Sequence, residues 1–191
     1  MQDTVPTYRI LAVCLGNICR SPLAEGLLKR VAKERGLPWE VDSAGTSGWH
    51  QGEAADPRSR AIAKKHNLNI DQQRSRKVED RDFEAFDLIL AMDHQNGLDL
   101  RRWRHSPNTD TLAHGLADQD SAKADSEKAS AHIAEILDIA GLSETYGLDV
   151  VDPYHDDDGF QSVYDLLEQA ANRLADQYEA GQLPNQNPDF G

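Results

Sequence analysis

The sequence predicts a single-domain, doubly wound α/β fold, a central parallel sheet of four strands with helices on both faces. Three observations carry this. Short apolar runs alternate with helical patterns over the first hundred residues. The first run ends in a turn that opens directly into a helix. And 191 residues with 39% hydrophobic content can bury one core.

Arg9-Ile10-Leu11-Ala12-Val13 has the length and apolarity of a buried strand. It breaks at Gly16-Asn17, and Ser21-Pro22 then places a favoured N-cap residue before a favoured first helical residue. Leu23, Leu27, Leu28 and Val31 give that helix its apolar face, and Gly36 stops it. Trp39 to Ser43 reads as a second strand, ending in a small-residue turn over Ala44 to Gly48. Pro57 to His66 is helical in pattern, Phe83 and Phe86 lead into a third strand over Asp87–Met92, and Asn96 to Trp103 is a further helix. Ile133 to Ile139 fits a buried strand or one face of a helix. Its three Ile and the need for a fourth strand favour the strand. Phe160 to Tyr178 is the clearest amphipathic helix, with Val163, Leu166, Leu167, Ala170 and Leu174 at helical intervals. The domain is expected over residues 1–180. An acidic insertion at about 105–130, rich in Ser, Asp, Ala and Lys, interrupts it, and a polar tail over 181–191 is expected to be disordered.

Thirty-three acidic residues against twenty basic ones leave a formal net charge of −13, which argues against nucleic acid and anionic membrane surfaces as partners. No apolar stretch approaches the roughly 20 residues of a spanning helix, so no membrane insertion is expected. MQDTVPTYR lacks a basic segment followed by an apolar one, and the cytoplasm is the expected compartment. The two cysteines, Cys14 and Cys19, are too few for a disulfide scaffold and lack neighbouring ligands for zinc. By composition alone they are two small buried hydrophobes.

Their position says more. Cys14-Leu15-Gly16-Asn17-Ile18-Cys19-Arg20-Ser21 lies between a strand and a helix N-terminus. Backbone N–H groups converge at such a turn, and the helix adds its unpaired donors and the positive end of its dipole. The product is a cradle for one phosphate-sized anion. Gly16 permits the backbone conformation that a tight loop needs. Arg20 offers two parallel donors to phosphate oxygens. The same field stabilises a thiolate at Cys14, placed for in-line attack on phosphorus to form a phosphocysteine. Ser21 is a helix cap, a donor to the sulfur as it leaves, or both.

Such a transfer needs an acid for the leaving oxygen. Val150-Val151-Asp152-Pro153-Tyr154 offers Asp152 on a turn fixed by Pro153, although Asp-Pro is by itself an ordinary turn. The following His155-Asp156-Asp157-Asp158-Gly159 is a solvated acidic turn, its carboxylates adjacent rather than spaced as calcium ligands.

These residues together resemble the low-molecular-weight protein tyrosine phosphatases. Residues 13–22 are similar to that family's phosphate loop, which Ala24-Glu25 continue. Asp42 to Thr46 with Gly48-Trp49 resemble its second motif. Asp82-Phe83, Phe86-Asp87 and Ala91-Met92-Asp93 resemble its third-strand region, and Asp152-Pro153-Tyr154 its acid loop. The resemblance implies hydrolysis of protein phosphotyrosine without metal or cofactor. Cys14 would be the nucleophile, Arg20 the phosphate clamp, and Asp152 the general acid and then the base. It further implies that Asn17, Ser21 and Ser43 support the loop. Leu15, Trp49, Tyr154 and His155 would wall the ring slot, Cys19 would cap an oxidised Cys14, and phosphate-like oxyanions would inhibit. Two departures stand out. Gln72-Gln73 occupies a stretch where the family often has His, and His155 stands where a second aromatic is common.

A protein-arginine phosphatase is the nearest alternative, but relatives with that activity have Thr at the position of Ile18, which cannot donate a hydrogen bond. Thioredoxin-coupled arsenate reductase needs further cysteines, and the chain has none outside the loop. A phosphocysteine carrier or a silent phosphate-binding module would be ill served by Asp152, which promotes attack by water.

Overall fold

A computed structural model describes residues 6–105, 130–156 and 158–186. Its sheet has four strands, β1 (Tyr8–Cys14), β2 (Trp39–Gly45), β3 (Leu88–Ala91) and β4 (His132–Glu135), in the order β2-β1-β3-β4. All three pairings are parallel, with Ile10 opposite Val41 and Leu88, and Leu90 opposite Ala134. β1 is central and almost wholly buried, which is why it reads as a continuous apolar run rather than an alternating one.

Alternation of side chains across β1 divides the core. Ile10, Ala12 and Cys14 face α1 (Arg20–Arg35) and α7 (Gly159–Glu179), whose Leu23, Leu27, Val163, Leu167 and Leu174 complete the larger cluster. Leu11 and Val13 face Phe83 of α3 (Asp82–Ala85) and Leu100 of α4 (His94–His105). The expected helices on both faces are present. α2 (Pro57–Lys65) packs beside α1 and α7.

Several local expectations change. α1 begins at Arg20 with Cys19 at its boundary and no side-chain cap, so Ser21 is not the N-cap, and its hydroxyl is used elsewhere. The segment expected as one strand over Ile133–Ile139 divides into β4 and the one-turn helix α5 (Ile136–Ile139). The ladder ends at the pair Ala91–Glu135, where β3 itself ends, and the Glu135 carboxylate there accepts two hydrogen bonds from Arg101 at 2.9 Å. Ile136 and Leu137 remain buried as helix residues. A second single turn, α6 (Ser143–Tyr146), follows. The tail expected to be disordered packs on the domain through residue 186. Tyr8 donates to the Pro184 carbonyl at 2.6 Å, Leu183 is buried, and the Asn185 side chain donates to the Asp87 carbonyl. Most of the acidic insertion, 106–129, and residues 187–191 lie outside the described residues. Among those described, no helix is long and apolar enough to cross a membrane.

The sharpest helix start belongs to α2. Asp56 accepts from the Arg58 amide at 2.8 Å and pairs with the Arg58 guanidinium at 3.0 Å. Burial opposes the Asp56 charge, but the bonds from Arg58 outweigh it and hold the carboxyl below its ordinary range. Asp56→Ala is expected to lower stability by about 1–2 kcal/mol in denaturant titrations. A carboxyl with a depressed folded value stabilises above its unfolded value and loses that contribution as pH falls through the folded one. The gap between Asp56→Ala and the parent should therefore be full at neutral pH and close in acid below the unfolded value of 3.8.

Candidate active site

β1 delivers Cys14 to the carboxyl edge of the sheet. From β1 the chain runs first to β2 on one side and later to β3 on the other, so a crevice opens there. The turn from Cys14 to α1 is held from outside by its own carbonyls. Cys14 O accepts from the Thr46 amide and Leu15 O from the Ser47 amide, both at 2.9 Å. Gly16 O accepts from Ser75 Oγ at 3.0 Å, Ile18 O from the Asp56 amide at 2.8 Å, and Cys19 O from Ser59 Oγ at 3.3 Å. A trans peptide is planar, with N–H opposite C=O, so each outward carbonyl turns the next amide inward. Those amides belong to Leu15, Gly16, Asn17, Cys19 and Arg20. Asn17 displays the result, its N–H donating to Cys14 Sγ at 3.3 Å.

The tight backbone position is Asn17 rather than Gly16. Asn17 has φ 55° in the left-handed region, which Asn tolerates better than most residues. Its side chain holds it there, since Nδ2 donates to Ser21 Oγ and to Ser43 Oγ, both at 2.9 Å, and Oδ1 accepts from the Arg76 amide at 3.0 Å. Beneath the loop, a Cβ on Gly45 would lie 2.7 Å from Leu15 O, so only glycine lets β2 pass this close. Ser21 is fully buried, its Oγ 3.1 Å from Cys14 Sγ. Ser43 donates to Glu25 at 2.6 Å, and Glu25 pairs with Lys29. Gln73 keeps its Oε1 buried without a partner among the described residues.

Arg20 closes the pocket with a side chain only 4% exposed. Nη1 donates to Asp93 at 2.6 Å and to the Val150 carbonyl at 3.0 Å, and Nη2 donates to Asp152 at 2.9 Å. Burial opposes its charge, but Cys14, Asp152 and Asp93 more than compensate and hold it above its ordinary range. Three of its five donors are engaged, leaving one N–H on Nη2 and the Nε–H, which is buried without a partner among the described residues. These two adjacent nitrogens fit two oxygens of one phosphate. Burial first, and then the nearby Asp56, Cys14 and Asp152, push the Cys19 thiol up to about 12.

Asp152 caps the 3-10 turn Pro153–His155 through the Tyr154 amide at 3.1 Å. A cleft of about 320 Å³ above Cys14 is lined by Leu15, Trp49, His50, Tyr154 and His155. Trp49 and Tyr154 are exposed, and the Tyr154 and His155 rings meet edge to face at 5.1 Å. The site residues named from the sequence, the loop from Cys14 to Ser21 with Ser43, Trp49, Asp152, Tyr154 and His155, thus line this cleft or bond to the loop beneath it, whereas Gln72 and Gln73 line a separate cleft. From the sequence two neighbours receive no role: Asp93 appears only within the third-strand resemblance, and His50 is not named. Asp93 follows the end of β3, a position where the parallel-sheet expectation itself points to a site. His50 packs against Gly16 and carries no pattern that would have revealed it.

Residues 9–125 match the family model for low molecular weight phosphotyrosine protein phosphatases. The low molecular weight protein-tyrosine-phosphatase of Streptomyces coelicolor is 34% identical over 171 residues, covering 88% of this chain and 92% of that protein. The crystal structure of YfkJ from Bacillus subtilis is 29% identical with a TM-score of 0.75, covering 93% of this chain and 98% of that one. A Drosophila arginine phosphatase is 29% identical with a TM-score of 0.73, covering 89% and 97% respectively. With that match spanning more than half of its length, the chain belongs to the low molecular weight phosphotyrosine protein phosphatase family and is a hydrolase.

Proposed function

We propose that the protein hydrolyses phosphotyrosine in proteins in the cytoplasm, by two in-line displacements at Cys14 that require no metal. The observation that carries this reading is the loop whose carbonyls are anchored outward, with its amides and Arg20 converging over a cysteine sulfur. The inward amides, with Nε–H and one Nη2–H of Arg20, bind the three non-bridging oxygens and stabilise the charge that they carry in the transition state. Cys14 Sγ forms a bond to phosphorus as the bond to the aryl oxygen breaks. Asp152, exposed enough to turn, leaves Arg20 and donates its proton to that oxygen. A water then attacks phosphorus, giving its proton to the Asp152 carboxylate, and the S–P bond breaks with Ser21 donating to the departing sulfur. Leu15, Trp49, Tyr154 and His155 hold the aryl ring, and Asn17 and Ser43 hold the loop. Phosphate-like oxyanions compete for the cradle.

The likeness to the arginine phosphatase makes phosphoarginine the alternative substrate. Ile18 argues against it, having no hydrogen to donate and packing with Cys19 and Phe160. In chelator, phosphate release from a phosphotyrosine peptide is expected, little from a phosphoarginine peptide, and a loss of at least ~10⁴-fold in Cys14→Ser. Preference for phosphoarginine would overturn the substrate, and steady turnover by Cys14→Ser would overturn the nucleophile.

Asp152→Asn should lower the rate on phenyl phosphate by roughly 10²–10³-fold, and far less on esters whose leaving group needs no proton. Equal losses on both would remove Asp152 as the acid.

Cys19, held as the thiol at working pH, is proposed to condense with the sulfenic acid that peroxide makes of Cys14, forming a disulfide and releasing water. Activity lost to peroxide should return with added thiol in the parent and largely fail to return in Cys19→Ser. Equal recovery in both would remove Cys19 from this role.

A further inference from the structure

Tyr154 is the slot wall whose support is least evident from the chain. Its ring is exposed, and its hydroxyl has no hydrogen-bond partner among the described residues. The His155 ring meets it edge to face at 5.1 Å but belongs to the same turn. The partner from another segment is Arg58, in the first turn of α2, whose guanidinium carbon lies 5.5 Å from the Tyr154 ring centroid. Asp56 holds that guanidinium, accepting from Nε and from Nη2, both at 3.0 Å. The same guanidinium lies 4.7 Å from the ring centroid of Phe160, which packs against Ile18 and Cys19 of the phosphate loop. Arg58 is not among the residues lining the cleft, so it meets Tyr154 from outside the slot.

We propose that Arg58 is a positioning residue for the substrate ring, holding the Tyr154 side chain in place as a wall before the substrate arrives. The inference rests on the slot beside Cys14 receiving an aryl group. The face of an aromatic ring carries negative potential, so a guanidinium within about 6 Å of its centroid is attracted to it. Arg58 can hold the ring because it is itself held. Its planar fork is engaged by Asp56, and the Asp56 amide donates to the Ile18 carbonyl at 2.8 Å. The position of the wall is thereby set from the phosphate loop.

This arrangement has a selective consequence. An exposed tyrosine without such a partner exchanges among rotamers, and a ligand must then select one at a cost in entropy. A wall already in place lowers that cost for a ligand that carries a ring. It does nothing for bare phosphate, which meets only the loop and Arg20. Support of the fold alone would not separate the two ligands.

The test compares dissociation constants of benzylphosphonate and of inorganic phosphate, read by NMR titration of the full chain, with thermal unfolding alongside. Arg58→Gln keeps the Arg58 amide that Asp56 caps and removes the cation. It is expected to weaken benzylphosphonate about two- to fivefold and to leave phosphate within about 1.5-fold. In a Tyr154→Leu background, which has no ring to hold, the same change should move benzylphosphonate by less than about 1.5-fold. Unchanged benzylphosphonate affinity in folded Arg58→Gln, equal weakening of both ligands, or a full effect in the Tyr154→Leu background would each overturn the proposal. Should Arg58→Gln fail to fold, Arg58→Lys decides. It keeps the charge but loses the planar face and the two-pronged hold on Asp56, so a loss of about twofold on benzylphosphonate is expected, and parent-like affinity overturns it. Binding does not require turnover, so a parent that binds both ligands yet leaves phosphotyrosine intact would refute the functional reading while this inference stands.

Discussion

A guanidinium as buried as that of Arg20 must be surrounded by anions and carbonyls, and that requirement organises the rest of the site. Asp93 comes from the end of β3, the Val150 carbonyl and Asp152 from the segment after α6, and Arg20 itself opens α1. Three distant stretches are thereby fixed around one charge. Removing Asp93 would take the shortest of these contacts from a buried charge, a greater loss than a surface ion pair carries. The donors left over, on Nε and Nη2, are those proposed to hold the phosphate. One residue would then both join the fold and present the anion site.

The loop follows the same economy on the backbone. Thr46 and Ser47 after β2, Asp56 and Ser59 at the start of α2, and Ser75 before the short bridge to Gly45 each take a loop carbonyl. With the carbonyls held by backbone amides and by the Ser59 and Ser75 hydroxyls, peptide planarity turns the following amides inward. Sheet, helix α2 and the segment at 75–78 are needed to hold that arrangement open, which explains why so short a functional sequence needs a full domain behind it.

Much of this was legible in the residues. Four parallel strands follow from apolar runs at Ile10, Val41, Leu88 and Ile133, and the anion loop follows from a strand, a short turn and Arg20 at a helix start. What was not legible depends on contacts between segments far apart in the chain. Ser21 looks like an N-cap locally, yet the helix starts two residues earlier, with Cys19 at its boundary, and the Ser21 hydroxyl meets Asn17 and the sulfur instead. Gly16 looks like the residue that permits the tight loop, yet the left-handed position is Asn17, held by its bonds to Ser43 and from the Arg76 amide. Ile136 looks like strand because an Ile-rich buried helical turn and a buried strand share the same composition. Residues 181–186 look like a polar tail, and contacts with distant segments, the Pro184 carbonyl on Tyr8 and the Asn185 side chain on Asp87, show otherwise.

The central claim is that phosphoryl transfer passes through the Cys14 sulfur. Acid-quenching the protein during the first turnovers of an aryl phosphate and mapping peptides by mass spectrometry tests it most directly. The account predicts one added phosphoryl group, confined to Cys14, reaching a steady level in the parent and, with an ester whose leaving group needs no proton, accumulating further in Asp152→Asn, where attack by water lacks its base. Sustained turnover with the phosphoryl group on Ser21, on His50, or on no residue at all would contradict it.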